Sequence, residues 1–179
     1  IQGYCEIGIN SSKDNKKKII IGHNSLIRSK SIFYAGSTFG PKLVTGHRVT
    51  VREGVKAGKN LQIGTLTDIQ GDCKIGDYVR LHSNIFISKL TKIGNFVWIF
   101  PHVVLTNDPT PPSSKLKGVT IEDYVAIAAG SLILPGVILR EGTLVGAKSK
   151  VRKNTKAHTL VSGNPAVEKY PTSKVKLKY

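Results

Sequence analysis

Two short stretches of this chain carry side chains that can do chemistry. His82 and Asn84 stand close together, Lys89 follows, and Asn107 and Asp108 open a proline-rich run. An imidazole titrates near neutrality, which makes His82 the candidate general base for a proton transfer. The bland alternative is an outward-facing His82 with no role. For Asn107 and Asp108 it is an Asx-type turn that shapes a loop. Further along, Ala126, Ala128, Ala129 and Gly130 are small enough to let a ligand approach the backbone, or to make tight corners. Lys148, Lys150, Arg152 and Lys153 form a basic cluster suited to phosphates, or simply a solvated face. No metal is expected. The five His include no closely spaced pair of the kind a three-His zinc site needs, and Cys5 and Cys73 lie far apart.

Something regular must position these groups, and the sequence supplies a period of six. From Ile63 a branched aliphatic residue recurs as Ile69, Ile75, Leu81, Ile87, Ile93, Ile99 and Leu105, and the spacing resumes as Ile121, Ile127, Ile133, Leu139, Val145 and Val151. Small or β-branched residues such as Thr67, Cys73, Val79, Ser131 and Val137 fall four places after each. Two shorter runs come first: Ile21, Ile27, Phe33, Phe39, and then Leu43, Val49, Val55, Leu61. The change of phase predicts a bulge or corner adjustment near Gly40-Pro41 and another near Gly64. Six fits neither the helical period nor the heptad, but it is a multiple of the strand alternation. With turn formers such as Gly76-Asp77 and Pro135-Gly136 between the apolar positions, the pattern predicts an all-β fold of short strands stacked coil on coil, a β-helix. A β-sandwich would need this long register to be accidental.

The repeat resembles that of the hexapeptide-repeat acyltransferases over roughly residues 20–167. Local strings sharpen the resemblance. Thr106-Asn107-Asp108-Pro109-Thr110-Pro111-Pro112 is similar to the T-N-D-P-Y-P-P segment of N-acetyltransferases acting on dTDP- or UDP-linked 3-amino sugars. Thr45-Gly46-His47-Arg48-Val49-Thr50-Val51-Arg52-Glu53 is similar to their T-G-H-x-V-x-I-R-E. The stretches Leu61 to Thr65 and Val79 to Asn84, and the ending Gly163-Asn164-Pro165-Ala166, also match. Two departures stand out: Lys89 replaces a commonly acidic residue, and Phe100 replaces a Gly.

The resemblance implies a left-handed parallel β-helix with three hexads per coil, an extruded loop at about 106–120 and a short C-terminal extension. It implies acetyl-CoA as cosubstrate with no metal required, a nucleotide-linked amino sugar of the 3-amino-3,6-dideoxyhexose type as acceptor, and a homotrimer with inter-subunit sites. Asn84 then lies near the reacting amine, and Asn107 and Asp108 bind the sugar. The basic cluster, with Asn164 and Pro165, serves coenzyme A. Stacking residues 18 apart puts Asn84 under His102 and Lys89 under Asn107, which gives the expectation that Asn84, Lys89, Asn107 and Asp108 gather near one loop, with Lys89 able to pair with Asp108. Surface-polysaccharide biosynthesis, lipopolysaccharide included, is the implied setting. A sugar O-acetyltransferase and a non-catalytic β-helix scaffold are the alternatives.

The expected organisation is an arm or partial coil over 1–18, a β-helix over 19–160 and a basic extension over 161–179. Across 179 residues, 27 Lys and Arg against 11 Asp and Glu give +16. That surplus suits acidic partners, which the resemblance narrows to coenzyme A and a sugar-nucleotide diphosphate. Nucleic acid is not expected, because no aromatic stacking platform interleaves the lysines. No apolar run approaches the roughly 20 residues of a membrane helix. No secretory signal is read at the start, so a cytoplasmic enzyme is expected. The lack of Met gives the expectation that the original start was trimmed.

Overall fold

A six-residue period leaves room for strands of two residues separated by corners. The computed structural model describes residues 1–11 and 17–175, and most of its strands have that length. The first residue of each points outward and the second inward, as in Phe86–Ile87, where Phe86 is exposed and Ile87 is fully buried. Three strands complete one coil of a left-handed parallel β-helix. Face A begins with Glu6–Ile9 and Ile32–Tyr34 and ends at Lys150–Val151. Face B runs from Ile20–Ile21 to Ile138–Leu139. Face C runs from Val44–Thr45 to Leu144–Val145, and there the last strands, Thr159–Gly163 and Ala166–Pro171, form an antiparallel hairpin. Lys16 and the tail residues Lys176, Leu177, Lys178 and Tyr179, which carried sequence expectations, lie outside the described residues.

Branched residues fill the interior because each inward position is flat and fully enclosed. Ile63, Ile69, Ile87, Ile99, Leu105 and Ile127 are all at most 2% exposed, and burying each contributes about 1.5–3 kcal/mol. Phe33 and Phe39 meet edge to face at 5.3 Å in the first coils. Interior hydroxyls bond to backbone: Ser31 Oγ donates to the Arg28 carbonyl at 2.8 Å and Thr67 Oγ1 to the His82 carbonyl at 2.8 Å. A buried hydroxyl so satisfied costs little.

The two expected phase shifts are absent. Pairing keeps a constant offset from Ile21↔Phe39 through Thr45↔Ile63 and Leu81↔Ile99. Thr45, fully buried, and Ala57 occupy inward positions where the sequence pattern looked for a large aliphatic residue. Leu43, Val49, Val55 and Leu61 fill the companion inward positions rather than a displaced first position. The Thr45 hydroxyl is accommodated because it accepts the Arg28 N–H at 3.0 Å.

Between Ile20 and Val151 the 18-residue step is interrupted once. Leu105 ends a face A strand, and the next coil resumes with Thr120–Ile121, so Lys92 pairs with Thr120 and Ile93 with Ile121. The extruded segment leaves from the corner between faces A and B. Its neck is closed by the Lys117 N–H donating to the Asn107 carbonyl at 2.7 Å. Val119 then returns to the core, fully buried. Among the described residues no helix is long and apolar enough to cross a membrane.

Candidate functional site

The edge between faces C and A is a column in which each residue sits one coil above the last: Arg28, Gly46, Gly64, His82, Phe100, Ala128. Backbone bonds fix it, with the Gly64 N–H donating to Leu81, His82 to Ile99, Phe100 to Ile127 and Ala128 to Val145. At the corner beside it, Asn84, His102, Gly130 and Lys148 follow one another with φ of 57°, 62°, 70° and 54°. His102 therefore stands one coil above Asn84, as the spacing predicts, with its N–H on the Ser83 carbonyl at 3.2 Å. The imidazole of His82 stacks on the Phe100 ring at 4.8 Å and 11°. The bulky residue at 100 thus fixes the plane of the candidate base. Above Phe100 the edge is nearly bare: Ala126, Ala128, Ala129 and Gly130 present backbone, up to Lys148.

Asn84 does not join the loop. It precedes Phe86–Ile87, whereas Lys89 follows it, so the two stand at opposite corners of face A. Stacking by 18 residues joins successive coils, but the step from 84 to 89 crosses a whole face. Lys89 does lie under Asn107, whose Nδ2 donates to the Lys89 carbonyl at 3.1 Å. Lys89 Nζ pairs with Asp72 at 2.9 Å rather than with Asp108. The Asp72 carboxylate, by hydrogen bond and by charge, holds the Lys89 ammonium above its ordinary range. Lys89 is therefore a fixed cation and not a base at neutral pH.

Asp108 is occupied by its own loop. Its carboxylate accepts the Thr110 N–H at 3.1 Å and the Ser113 N–H at 2.9 Å, which is the Asx-type closure weighed from the sequence. Burial pushes this carboxyl up, but the bonds from Ser113 and Thr110 outweigh it and hold the group below its usual range.

Beside the loop, face A carries a cleft of about 250 Å³ lined by Arg52, Glu53, Gln70, Ser88, Lys89 and Asn107. Arg52 clamps Glu53 with two bonds of 2.9 and 3.2 Å and lies 4.9 Å from the Tyr34 ring centre. Gln70 Nε2 donates to Asp68 Oδ2 at 2.7 Å. Asp68 Oδ1 and Ser88 Oγ are buried with no hydrogen-bond partner among the described residues. Burial raises the Asp68 carboxyl despite the bond from Gln70. Sequence reasoning missed Gln70, Asp72 and Ser88, although Gln70 stands 18 residues from Arg52 and Ser88 stands 18 from Thr106; Asp72 has no such partner and reaches Lys89 across the corner.

The basic cluster divides. Lys148 caps the C–A edge, Lys150 points outward from face A, and Arg152 and Lys153 meet Pro165 at a cavity of about 610 Å³ at the open end of the helix. Asn164 adjoins Pro165 in the turn of the terminal hairpin. No three His, Cys, Asp or Glu side chains gather as a metal-holding group among the described residues.

Known proteins place this arrangement in context. No family model matches the chain. It is 28% identical over 163 residues to a dTDP-4-amino-4,6-dideoxy-D-glucose acyltransferase of Escherichia coli, covering 82% of this chain and 78% of that one. It is 32% identical over 93 residues to an acyl-[acyl-carrier-protein]–UDP-N-acetylglucosamine O-acyltransferase of Brucella anthropi, where it covers 52% of this chain but spans only 32% of the relative. Among solved structures it resembles PerB from Caulobacter crescentus, held in complex with CoA and GDP-perosamine. The TM-score is 0.61 at 22% identity, over 68% of this chain and 54% of that one.

Proposed function

We propose that this chain is a hexapeptide-repeat acyltransferase and that it transfers an acetyl group from acetyl-CoA to an amino group of a nucleotide-linked sugar, a reading supported by its similarity to the Escherichia coli acyltransferase. The observation that carries this reading is the layout of the C–A edge. Polar His82 and Asn84 stand at its middle, and the bare track from Ala126 to Lys148 begins two coils above them, past Phe100 and His102. The pantetheine arm lies on that track, Lys148 meets its phosphates, and Arg152, Lys153, Asn164 and Pro165 receive the nucleotide end, with Lys150 nearby. The acceptor amine attacks the thioester carbon, the carbon–sulfur bond breaks, and coenzyme A leaves as the thiol. Asn84 orients the amine, and His82 takes the proton that the amine loses and hands it to the departing sulfur. The Ala129 N–H, which donates to no backbone carbonyl among the described residues, is left to polarise the thioester oxygen. Holding both reactants in line can lower the barrier by about 7–11 kcal/mol.

The loop residues Asn107 and Asp108 stand on a different edge from Asn84. A complete site therefore joins the A–B edge of one subunit to the C–A edge of the next, which three copies around an axis accomplish. Asn107 and Asp108 then hold the sugar, with Lys89 beside it. The 3-amino-3,6-dideoxyhexose type follows from the Thr106-Asn107-Asp108-Pro109 string, although the Escherichia coli relative is named for a 4-amino sugar. The product serves surface-polysaccharide assembly in the cytoplasm, lipopolysaccharide included.

Thiol release from acetyl-CoA, measured over a panel of dTDP-, UDP- and GDP-linked 3- and 4-amino sugars, tests the reading. Turnover is expected with a 3-amino member, and Asn84→Ala should lower kcat/KM without lowering Tm. No release across the panel would leave a binding scaffold. Sugar O-acetylation is the second reading, favoured because Lys89 stands where the resembling N-acetyltransferases commonly carry an acidic residue and the Asp72 carboxylate beside it is already taken by Lys89.

A further inference from the structure

Below His82 the C–A edge opens into a groove of about 310 Å³ on face C, lined by Arg28, Gly46, Gln62, Gly64, Arg80 and His82 among others. We propose that this groove binds the diphosphate of the acceptor nucleotide, with Arg28, Arg80 and His82 as its donors; the assignment rests on the acyl-transfer reading above.

Charge separates the groove from the face A cleft, which holds Glu53, and from the open-end cavity, which holds Glu168; the small site at Lys30, His47 and Arg48 also lacks a carboxylate but has one guanidinium against the groove's two. Two guanidiniums and an imidazole line it, and no carboxylate does. A guanidinium presents several N–H donors in a fork that matches phosphate oxygens, so an unpaired pair of them is built for a polyanion.

Both guanidiniums are held before any ligand arrives. Arg80 Nη1 donates to Gln62 Oε1 at 2.8 Å, and its guanidinium lies 5.4 Å from the Trp98 ring centre. Arg28 Nη1 donates to the Thr45 carbonyl. Each keeps further N–H groups for a ligand, and ordering them in advance lowers the cost of binding. His82 is held in the same way by Phe100.

The floor is bare for a structural reason with a functional consequence. A Cβ on Gly46 would meet the Thr65 nitrogen at 2.4 Å, and one on Gly64 the His82 carbonyl carbon at 2.3 Å. Close coil packing therefore excludes side chains at both levels. Between Arg28 below and His82 above, two coils of backbone lie open. The volume is at the low end for ligand sites, about 300–1,000 Å³, which suits a diphosphate more than a whole nucleotide. A diphosphate there puts its sugar next to His82 and Asn84, two coils below the start of the track assigned to the acyl donor.

The test is calorimetric binding of UDP, dTDP, UMP and inorganic pyrophosphate to the intact protein and to Arg80→Ala, Arg80→Lys and Arg28→Ala, with Tm measured for each. UDP and dTDP should bind more tightly than UMP. Arg80→Ala should weaken them roughly tenfold or more, with Arg80→Lys in between and Tm held. Binding should fall with added salt, because the groove is open to solvent. Pyrophosphate binding as tight as UDP supports recognition of the diphosphate alone, and weaker binding shows that the nucleoside adds contacts. Equal UDP affinity in the wild type and both alanine variants overturns the proposal, as does no diphosphate binding at all. Diphosphate binding that depends on Arg80, with no acetyl transfer to any amino sugar, keeps the groove and removes the acyl-transfer reading. Transfer with an unchanged acceptor KM in Arg80→Ala does the reverse.

Discussion

The face C groove and the face A cleft contain the same kinds of cation in opposite states. In the cleft each is matched: Arg52 is clamped to Glu53, and Lys89 is paired with Asp72 at 2.9 Å. In the groove Arg28 and Arg80 are braced by a carbonyl, an amide and an indole, all neutral. A brace without charge fixes a guanidinium while leaving its charge uncompensated. The groove can therefore draw in an anion, whereas the cleft fixes the geometry and protonation of groups beside the loop. Composition at +16 cannot separate these roles, but pairing can.

Reversing the groove's charge should have the largest effect. Arg28→Glu with Arg80→Glu is expected to raise the KM for a nucleotide-linked acceptor about 100-fold or more, while the KM for acetyl-CoA stays within a few fold. Steady-state kinetics with each substrate varied in turn would check this. An equal rise in both constants would show that groove and track are one site.

Next comes the loop. Asn107→Ala removes the bond to the Lys89 carbonyl and the sugar contact proposed above, and should lower kcat/KM by about tenfold with Tm nearly unchanged. Unaltered kinetics would take the A–B edge out of the site.

Asp72→Asn should change kcat/KM by only a few fold. The pair is exposed and worth about 0–1 kcal/mol in stability, so Tm should hold. Its diagnostic readout is pH. Without Asp72 the Lys89 ammonium loses the partner that raises it, so any effect should grow at alkaline pH. A flat ratio of variant to wild type across pH would show that Lys89 does not face the reaction.

The loop carries its own pH signature. The Asp108 carboxyl is depressed in the folded state, so its contribution is present above the ordinary carboxylate value of 3.8 and is lost as pH falls through the lower folded value. Proteolysis within 106–119 should therefore rise below about pH 4 in the wild type, and Asp108→Asn should remove that dependence.

The smallest effect is expected at Asp68. Burial raises its carboxyl, so the ionised form costs stability at neutral pH, and that cost vanishes as pH falls below its range. Asp68→Asn should raise Tm slightly at pH 7. A lower Tm would mean that the buried Asp68 Oδ1 has a partner in the assembled protein.

Much of this was legible in the sequence, and the gaps have physical causes. The six-residue register from Ile63 to Val151 dictated the coils. It misled at Thr45 and Ala57, where interior positions take small residues and feign a change of phase. Counting in steps of 18 found true neighbours, such as Lys89 under Asn107. It did not reveal that Asn84 and Lys89 belong to different edges, because corners, not spacing, decide that. The groove was readable as Arg28, Gly46, Gly64 and His82 in one column. It was overlooked because a cation's role depends on what lies opposite it, and Glu53 and Asp72 are visible as partners only in the fold.

The most direct measurement is acetyl transfer to an amino sugar with and without its nucleotide diphosphate, in the wild type and in Arg28→Ala with Arg80→Ala. The wild type should strongly prefer the nucleotide-linked acceptor, and the variant should lose most of that preference while still turning over. Equal use of both acceptors by the wild type, or a preference that survives in the variant, would contradict the account.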